Sequence, residues 1–195
     1  MKKVVNKNVI MRKAVVLFML AIFLPGYLCA QNLDNCRFQI NKTDEFTGEH
    51  ILVTTAEKMN NPLSGSYQFA FSFVNIIDRD NLLPPSKLMN IKLSSVNKSL
   101  FIGKGDPVLI KLSNNDIIEL LAMDDYYTET KSISSSRTLT QVSSNYEISN
   151  ENLVKIMKIG IAKIQINTST SQVNLVLRQN DNKKINKMLN CVVDI

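Results

Sequence analysis

Apolar residues recur at every second position through most of this chain, the spacing of a strand that buries one face. Tyr67, Phe69, Phe71 and Phe73 alternate with Gln68, Ala70, Ser72 and Val74, which predicts an aromatic face at the centre of the core. Cys36, Phe38 and Ile40 alternate in the same way with Arg37, Gln39 and Asn41, as do Met89, Ile91 and Leu93 with Asn90, Lys92 and Ser94. Val108, Ile110 and Leu112 run into Ser113-Asn114-Asn115-Asp116, after which residues 117–123 are again mainly apolar. Two β-prone runs joined by turn formers predict a hairpin. A second hairpin is expected from Ala162, Ile164 and Ile166, a loop at 168–172, and Val173, Leu175 and Leu177. The Ser- and Thr-rich residues 128–145 still contain Ile133, Leu139 and Val142, so they read as an exposed hairpin or edge region rather than a linker.

Helical spacing occurs twice. Ser149-Asn150-Glu151 supplies an N-cap and a first-turn acid, Leu153, Ile156 and Met157 follow on one side, and Gly160 supplies a stop. A last helix should begin near Asn180-Asp181, with Ile185, Met188, Leu189 and Val192 as its apolar stripe. The expected fold is therefore α+β: a mostly antiparallel, curved β-sheet of about seven to nine strands with two helices near the C-terminus packed on it.

The N-terminal segment follows a different pattern. Arg12-Lys13 precede eleven uninterrupted apolar residues at 14–24, followed by Pro25-Gly26 and, at the expected cut, Ala30 before Gln31. Such an apolar run reaches about 16 Å as a helix, against a hydrocarbon core of about 30 Å. A short apolar core, preceding positive charge and a small residue at the cut are the parts of a cleavable signal peptide. A chain starting at Met11 would carry a signal of ordinary length. Cys29 raises the alternative of lipid anchoring, but the bulky Leu28 before it fits poorly with the small residue such sites use. The domain expectation is a signal at 1–30 and a single β-rich domain at 31–195, extracytoplasmic and either periplasmic or secreted, with no membrane span after cleavage.

Removal of the signal changes the charge. All seventeen acidic residues lie beyond Ala30 and five of the twenty-three Lys and Arg lie before it, so residues 31–195 carry a net charge of +1 rather than the +6 of the whole chain. The remaining cations are dispersed, and the densest group, Lys183-Lys184 with Lys187, reads as the solvated face of a helix. Nucleic acid is therefore not an expected partner, because phosphate binding needs a concentrated basic patch. Beyond the signal the chain holds two cysteines, Cys36 and Cys191. Export favours a disulfide between them, which requires the first strand and the last helix to be neighbours; two buried thiols are the alternative.

Candidate chemistry is sparse. The single histidine, His50, shares a strand face with Leu52, and no Gly-x-Ser-x-Gly elbow accompanies it. One histidine and two distant cysteines do not make a zinc set. Asp78-Arg79-Asp80-Asn81 and Asp124-Asp125 with Glu129 offer oxygen ligands in loops, but neither follows the calcium-loop pattern, and solvated loop acids are the simpler reading. Gly103-Lys104-Gly105 leads into another strand and reads as a tight turn rather than a phosphate loop. Tyr126-Tyr127 is the one aromatic pair expected to be exposed, as a contact point for a ligand or partner or else as a packed strand end.

These features call for no cofactor and no metal. They lead to an exported binding or interaction module without catalytic activity, its partner an unknown protein, peptide or envelope component. Two other classes stand beside it: a small exported hydrolase whose acids, Asp78, Asp80, Asp124 and Asp125 among them, converge only in the fold, and a carrier of an apolar ligand. The export expectation has a direct test. Mass spectrometry of the exported protein should find Gln31, free or cyclised, at the N-terminus; a chain still beginning at Met1 or Met11 would overturn the cleavage.

Overall fold

Alternation becomes register in the computed structural model, which describes residues 36–59, 67–80, 84–169 and 171–193. The expected signal with Met11 and Cys29, Ser64-Gly65-Ser66 and Asn81 lie outside the described residues. Every strand pairing among the described residues is antiparallel.

The large sheet is built on β4 (Gln68–Ile77), β5 (Ser86–Val96) and β9 (Arg137–Glu147). On one side β4 pairs with β2 (His50–Thr54) and the short β3 (Glu57–Met59), and β1 (Phe38–Thr43) lies outside β2. On the other side β8 (Glu129–Ser134) pairs with β9 and forms the opposite edge. The small sheet runs in the order β11 (Gln172–Val176), β10 (Ile161–Asn167), β6 (Pro107–Leu112) and β7 (Ile117–Leu121). Helix α1 (Asn150–Ile159) links β9 to β10, and α2 (Gln179–Leu189) follows β11.

The observed class is the expected one, a mostly antiparallel curved β-structure with two helices near the C-terminus. Its strands are divided between two sheets because each has an apolar face to cover. Phe69, Phe71, Phe73, Met89, Ile91, Leu93, Val142 and Tyr146 from the large sheet share one hydrophobic cluster with Val108, Ile110, Ile118, Leu120, Ile164, Ile166 and Leu175 from the small one. Leu153 and Ile156 of α1 and Ile185, Met188 and Leu189 of α2 complete that cluster. Helix α1 matches its sequence signals: the Ser149 hydroxyl accepts the Asn152 backbone N–H at 3.2 Å, and Gly160 ends α1 with a positive φ. Helix α2 carries Ile185, Met188 and Leu189 as expected but ends at Leu189, so Val192, expected on its stripe, is buried in the turn beyond it.

Two irregularities shape the sheet. Between β2 and β3 the chain bulges, and the buried Thr54 hydroxyl accepts the Phe73 backbone N–H at 2.9 Å, replacing a missing ladder bond. A register shift between Phe38 and Ile40 corrects the expectation that these two share a core face. The extra residue turns Ile40 to the outer face opposite Val53, where it is 37% exposed. Residues 128–145 do form a hairpin at the edge of the large sheet: every residue of β8 is exposed, whereas Thr140, Val142 and Ser144 of β9 are buried.

Cys36 and Cys191 form a disulfide with a Cα–Cα distance of 5.6 Å. It joins the entrance of β1 to the turn after α2 and spans 155 residues of sequence. In the chain-entropy account a loop of that size is worth about 5 kcal/mol at most. The disulfide is compatible with an extracytoplasmic location, and among the described residues no helix is long and apolar enough to cross a membrane.

Phe71 is 1% exposed at the centre of the aromatic face. Replacing it by Ala should destabilise the fold by about 3–5 kcal/mol in urea unfolding; an unchanged midpoint would contradict its place in the core.

Candidate functional site

The two sheets meet at one seam and part beyond it. At the seam Ala122, just past β7, bridges Tyr146 of β9, and the Met123 N–H donates to the Asn145 carbonyl at 3.1 Å. Beyond it lies a cleft of about 930 Å³. Glu119 to Met123 contribute one part of its wall, and Glu147 to Asn150, where β9 passes into α1, contribute another. Pro84 and Pro85 just before β5, Lys87 near its start, Lys104-Gly105, and Val193 complete the lining.

Strand β7 is the last strand of the small sheet on this side. The Ala122 N–H donates to Asp106 and the Ala122 carbonyl accepts from Gly105, so Ala122 directs both main-chain groups toward β6. Antiparallel alternation then gives Leu120 and Ile118 the same direction and turns the main-chain groups of Glu119 and Ile117 to the opposite edge. The side chains of Ile117 and Leu121 are exposed on the outer face.

Lys87 is the most unusual residue of the cleft. It continues the buried phase of Met89, Ile91 and Leu93 and is only 7% exposed. Its ammonium donates to the Val193 carbonyl at 3.0 Å and to Asn150 Oδ1 at 3.1 Å, which ties the end of the chain to the first residue of α1. Ser149 is likewise spent on capping α1. Lys104, Glu119 and Glu147 supply the other charges of the lining. A lysine in the apolar phase of a strand is a signal readable in sequence, because extending the Met89-Ile91-Leu93 alternation back by two residues reaches it.

The residues singled out in the sequence fall mostly elsewhere. Gly103-Lys104-Gly105 is a tight turn: the Asp106 carboxylate accepts the Gly103 N–H at 2.7 Å, and the Asp106 N–H returns to the Gly103 carbonyl. The Lys104 N–H donates to Asp125 Oδ1 at 2.7 Å, so the chain's own carboxylate takes a donor that a phosphate would need. Asp124 accepts the Asp125 N–H at 2.8 Å. Asp78 and Asp80 flank Arg79 in the turn after β4. Among the described residues no group of three or more His, Cys, Asp or Glu surrounds a common point. His50 lies beside Thr43 across the β1–β2 ladder, with Nδ1 and the hydroxyl oxygen 3.1 Å apart.

The tyrosine pair is divided. Tyr126 is packed against the core, pairs through its backbone with Ile102, and donates its hydroxyl to the Asn145 carbonyl at 3.4 Å. Tyr127 is 72% exposed with its ring 5.1 Å from that of Phe101. Tyr126 is thus a packed residue and Tyr127 an exposed one. The pattern did not single out Phe46, which is 98% exposed at the tip between β1 and β2. Asp44 builds that tip by accepting the Thr47 and Phe46 N–H groups, each at 2.9 Å, and these bonds hold its carboxyl below the ordinary value.

No protein-family model, curated protein or solved structure matches the chain, so a functional reading has only the geometry and the sequence to stand on.

Tyr146 allows the seam to be tested. Burial pushes its hydroxyl up to about 12, offset in part by the Ser144 hydroxyl donating to it at 3.1 Å. In the unfolded chain the group titrates near 10. Below that pH both states are protonated and the contribution is complete; between about 10 and about 12 the unfolded state ionises first and the contribution is lost. Urea midpoints should therefore fall across that window, and Tyr146→Phe should flatten the fall. Equal slopes for the two proteins would show that the hydroxyl is not buried at the seam.

Proposed function

We propose that this protein works outside the cytoplasm as a non-catalytic binding module, engaging a segment of a protein, peptide or envelope component in the cleft beside β7. The observation that carries the reading is the cleft itself, about 930 Å³ and walled in part by an outer strand. Pockets of this size accommodate specific ligands, and an unpaired strand edge offers main-chain donors and acceptors to a second chain.

The distribution of polar groups favours binding over chemistry. Ser149 caps a helix, Lys87 holds Val193 and Asn150, and Asp124 and Asp125 close turns, so these groups serve the scaffold. The packing of Phe69, Phe71 and Phe73 into the buried cluster favours a binding module over an apolar-ligand carrier. Export is supported by Arg12-Lys13, the apolar run after them and Pro25-Gly26, together with the Cys36–Cys191 bridge.

Site-specific photocrosslinking in exporting cells tests the cleft. A photoreactive residue in place of Glu119 or Leu121 should give a discrete adduct, whereas one in place of Glu45, exposed in the turn between β1 and β2, should not. Adducts from Glu45 alone, or none from the cleft positions in a folded and exported protein, would overturn the reading.

A further inference from the structure

We propose a second site on the outer face of the large sheet: a groove that binds a compact oxyanion carried on a hydroxylated scaffold, as in an acidic sugar. It is separate from the cleft and does not depend on the function proposed for it. Register builds the site. Lys58 of β3 lies opposite Ala70 of β4, and Ala70 lies opposite Lys92 of β5, so a small residue stands between two lysines in one row. Two strand spacings put the lysine backbones about 10 Å apart. In the adjoining row Gln68, Ser94 and Gln141 lie side by side across β4, β5 and β9. These side chains line a groove of about 280 Å³.

The chemistry of the lining selects the ligand class. The polar part of the lining is two lysines, two glutamines and a serine; Ala56, Phe69, Ala70 and Leu139 supply the apolar part, and there is no carboxylate among the lining residues. Neither lysine side chain makes an ion pair or hydrogen bond among the described residues. Two ammonium groups facing one groove repel each other, and an anion between them converts that repulsion into attraction. Outside the lining, the Glu129 carboxylate accepts from Gln141 Nε2 at 3.5 Å and orients that amide. Amide and hydroxyl groups beside the cations suit a carrier rich in hydroxyls. The volume lies just below the range of about 300–1,000 Å³ usual for drug-sized ligands, which fits a sugar-sized group. Ala70 is the only residue between the lysines in their row, and a larger side chain there would fill the space.

The test is an NMR titration of the isotope-labelled exported protein with glucose 6-phosphate, glucuronate, inorganic phosphate and glucose. Both acidic sugars should shift the amides of Ala70, Lys92 and Ser94 saturably and bind about tenfold or more tighter than glucose, with glucose 6-phosphate tighter than phosphate. Lys58→Gln and Lys92→Gln should each weaken the acidic sugars about fivefold or more, and the double variant should abolish binding. Ala70→Leu, which keeps both charges, should abolish it too; the lysine variants decide the matter if Leu disturbs the sheet. The proposal is overturned by no saturable shift at millimolar ligand, by shifts confined elsewhere, by phosphate or glucose binding as tightly as glucose 6-phosphate, or by unchanged affinity in a folded double variant.

Discussion

The register of β5 governs both the core and the two candidate binding surfaces. β5 pairs with β4 from Ser86 to Ser94 and with β9 from Leu88 to Val96, so its centre is hydrogen-bonded on both sides. A slip of one residue would exchange the faces of the strand, carrying Met89, Ile91 and Leu93 to solvent and Asn90 and Lys92 into the core. The same alternation places Lys87 in the buried phase at the cleft and Lys92 in the outer phase at the groove. An odd separation along one strand puts the two lysines on opposite faces. Each surface is thus tied to the energy of the hydrophobic core, because neither lysine can change face without moving buried side chains.

The core is not uniform along that ladder. At its centre Phe71, Ile91 and Ser144 lie in adjacent strands, and the apolar pairs Phe69–Leu93 and Phe73–Met89 flank the first two. Toward the cleft the same inner face carries Asn75 opposite Lys87. Asn75 is fully buried, and neither polar atom of its amide has a hydrogen-bond partner among the described residues. Such a group costs about 1–3 kcal/mol. Ser95, toward the other end of β5, likewise buries a hydroxyl oxygen without a partner among the described residues, so both ends of the ladder are more polar than the aromatic centre, which supplies the burial that holds the two sheets together.

Most of the fold was legible because period two and period 3.6 are local signals. Phe69, Phe71 and Phe73, Met89, Ile91 and Leu93, both hairpins, and the Ser149 cap with the Gly160 stop each announce an element within a few residues. Features created by one extra residue or by distant partners were not legible in the same way. The shift after Phe38 leaves the apolar alternation of β1 intact while turning Ile40 away from the core. The division into two sheets depends on β9 rather than β6 lying beside β5, a choice made across about fifty residues of sequence. Tyr126 and Tyr127 were identifiable as an aromatic pair, but their division into packed and exposed members follows from the Ile102 bridge. For the cleft, Lys87 was the available clue; Glu119 and Glu147 become neighbours of the same space only when the sheets meet at Ala122 and Tyr146.

The disulfide adds a covalent restraint beside the cleft. Cys191 lies two residues before Val193, whose carbonyl accepts the Lys87 ammonium, while Cys36 lies two residues before β1. The bridge therefore fastens the end of the chain to the edge of the large sheet close to the residue that Lys87 uses as its acceptor. Backbone bonds from Val192 and Val193 to the Leu189 carbonyl hold the same turn to the end of α2. Lys87 thus has an acceptor restrained from two directions, so little further backbone freedom is lost at Val193 when the contact forms. The bridge and the Lys87–Val193 contact therefore meet within residues 191–193, so the disulfide and one part of the cleft wall share a single turn.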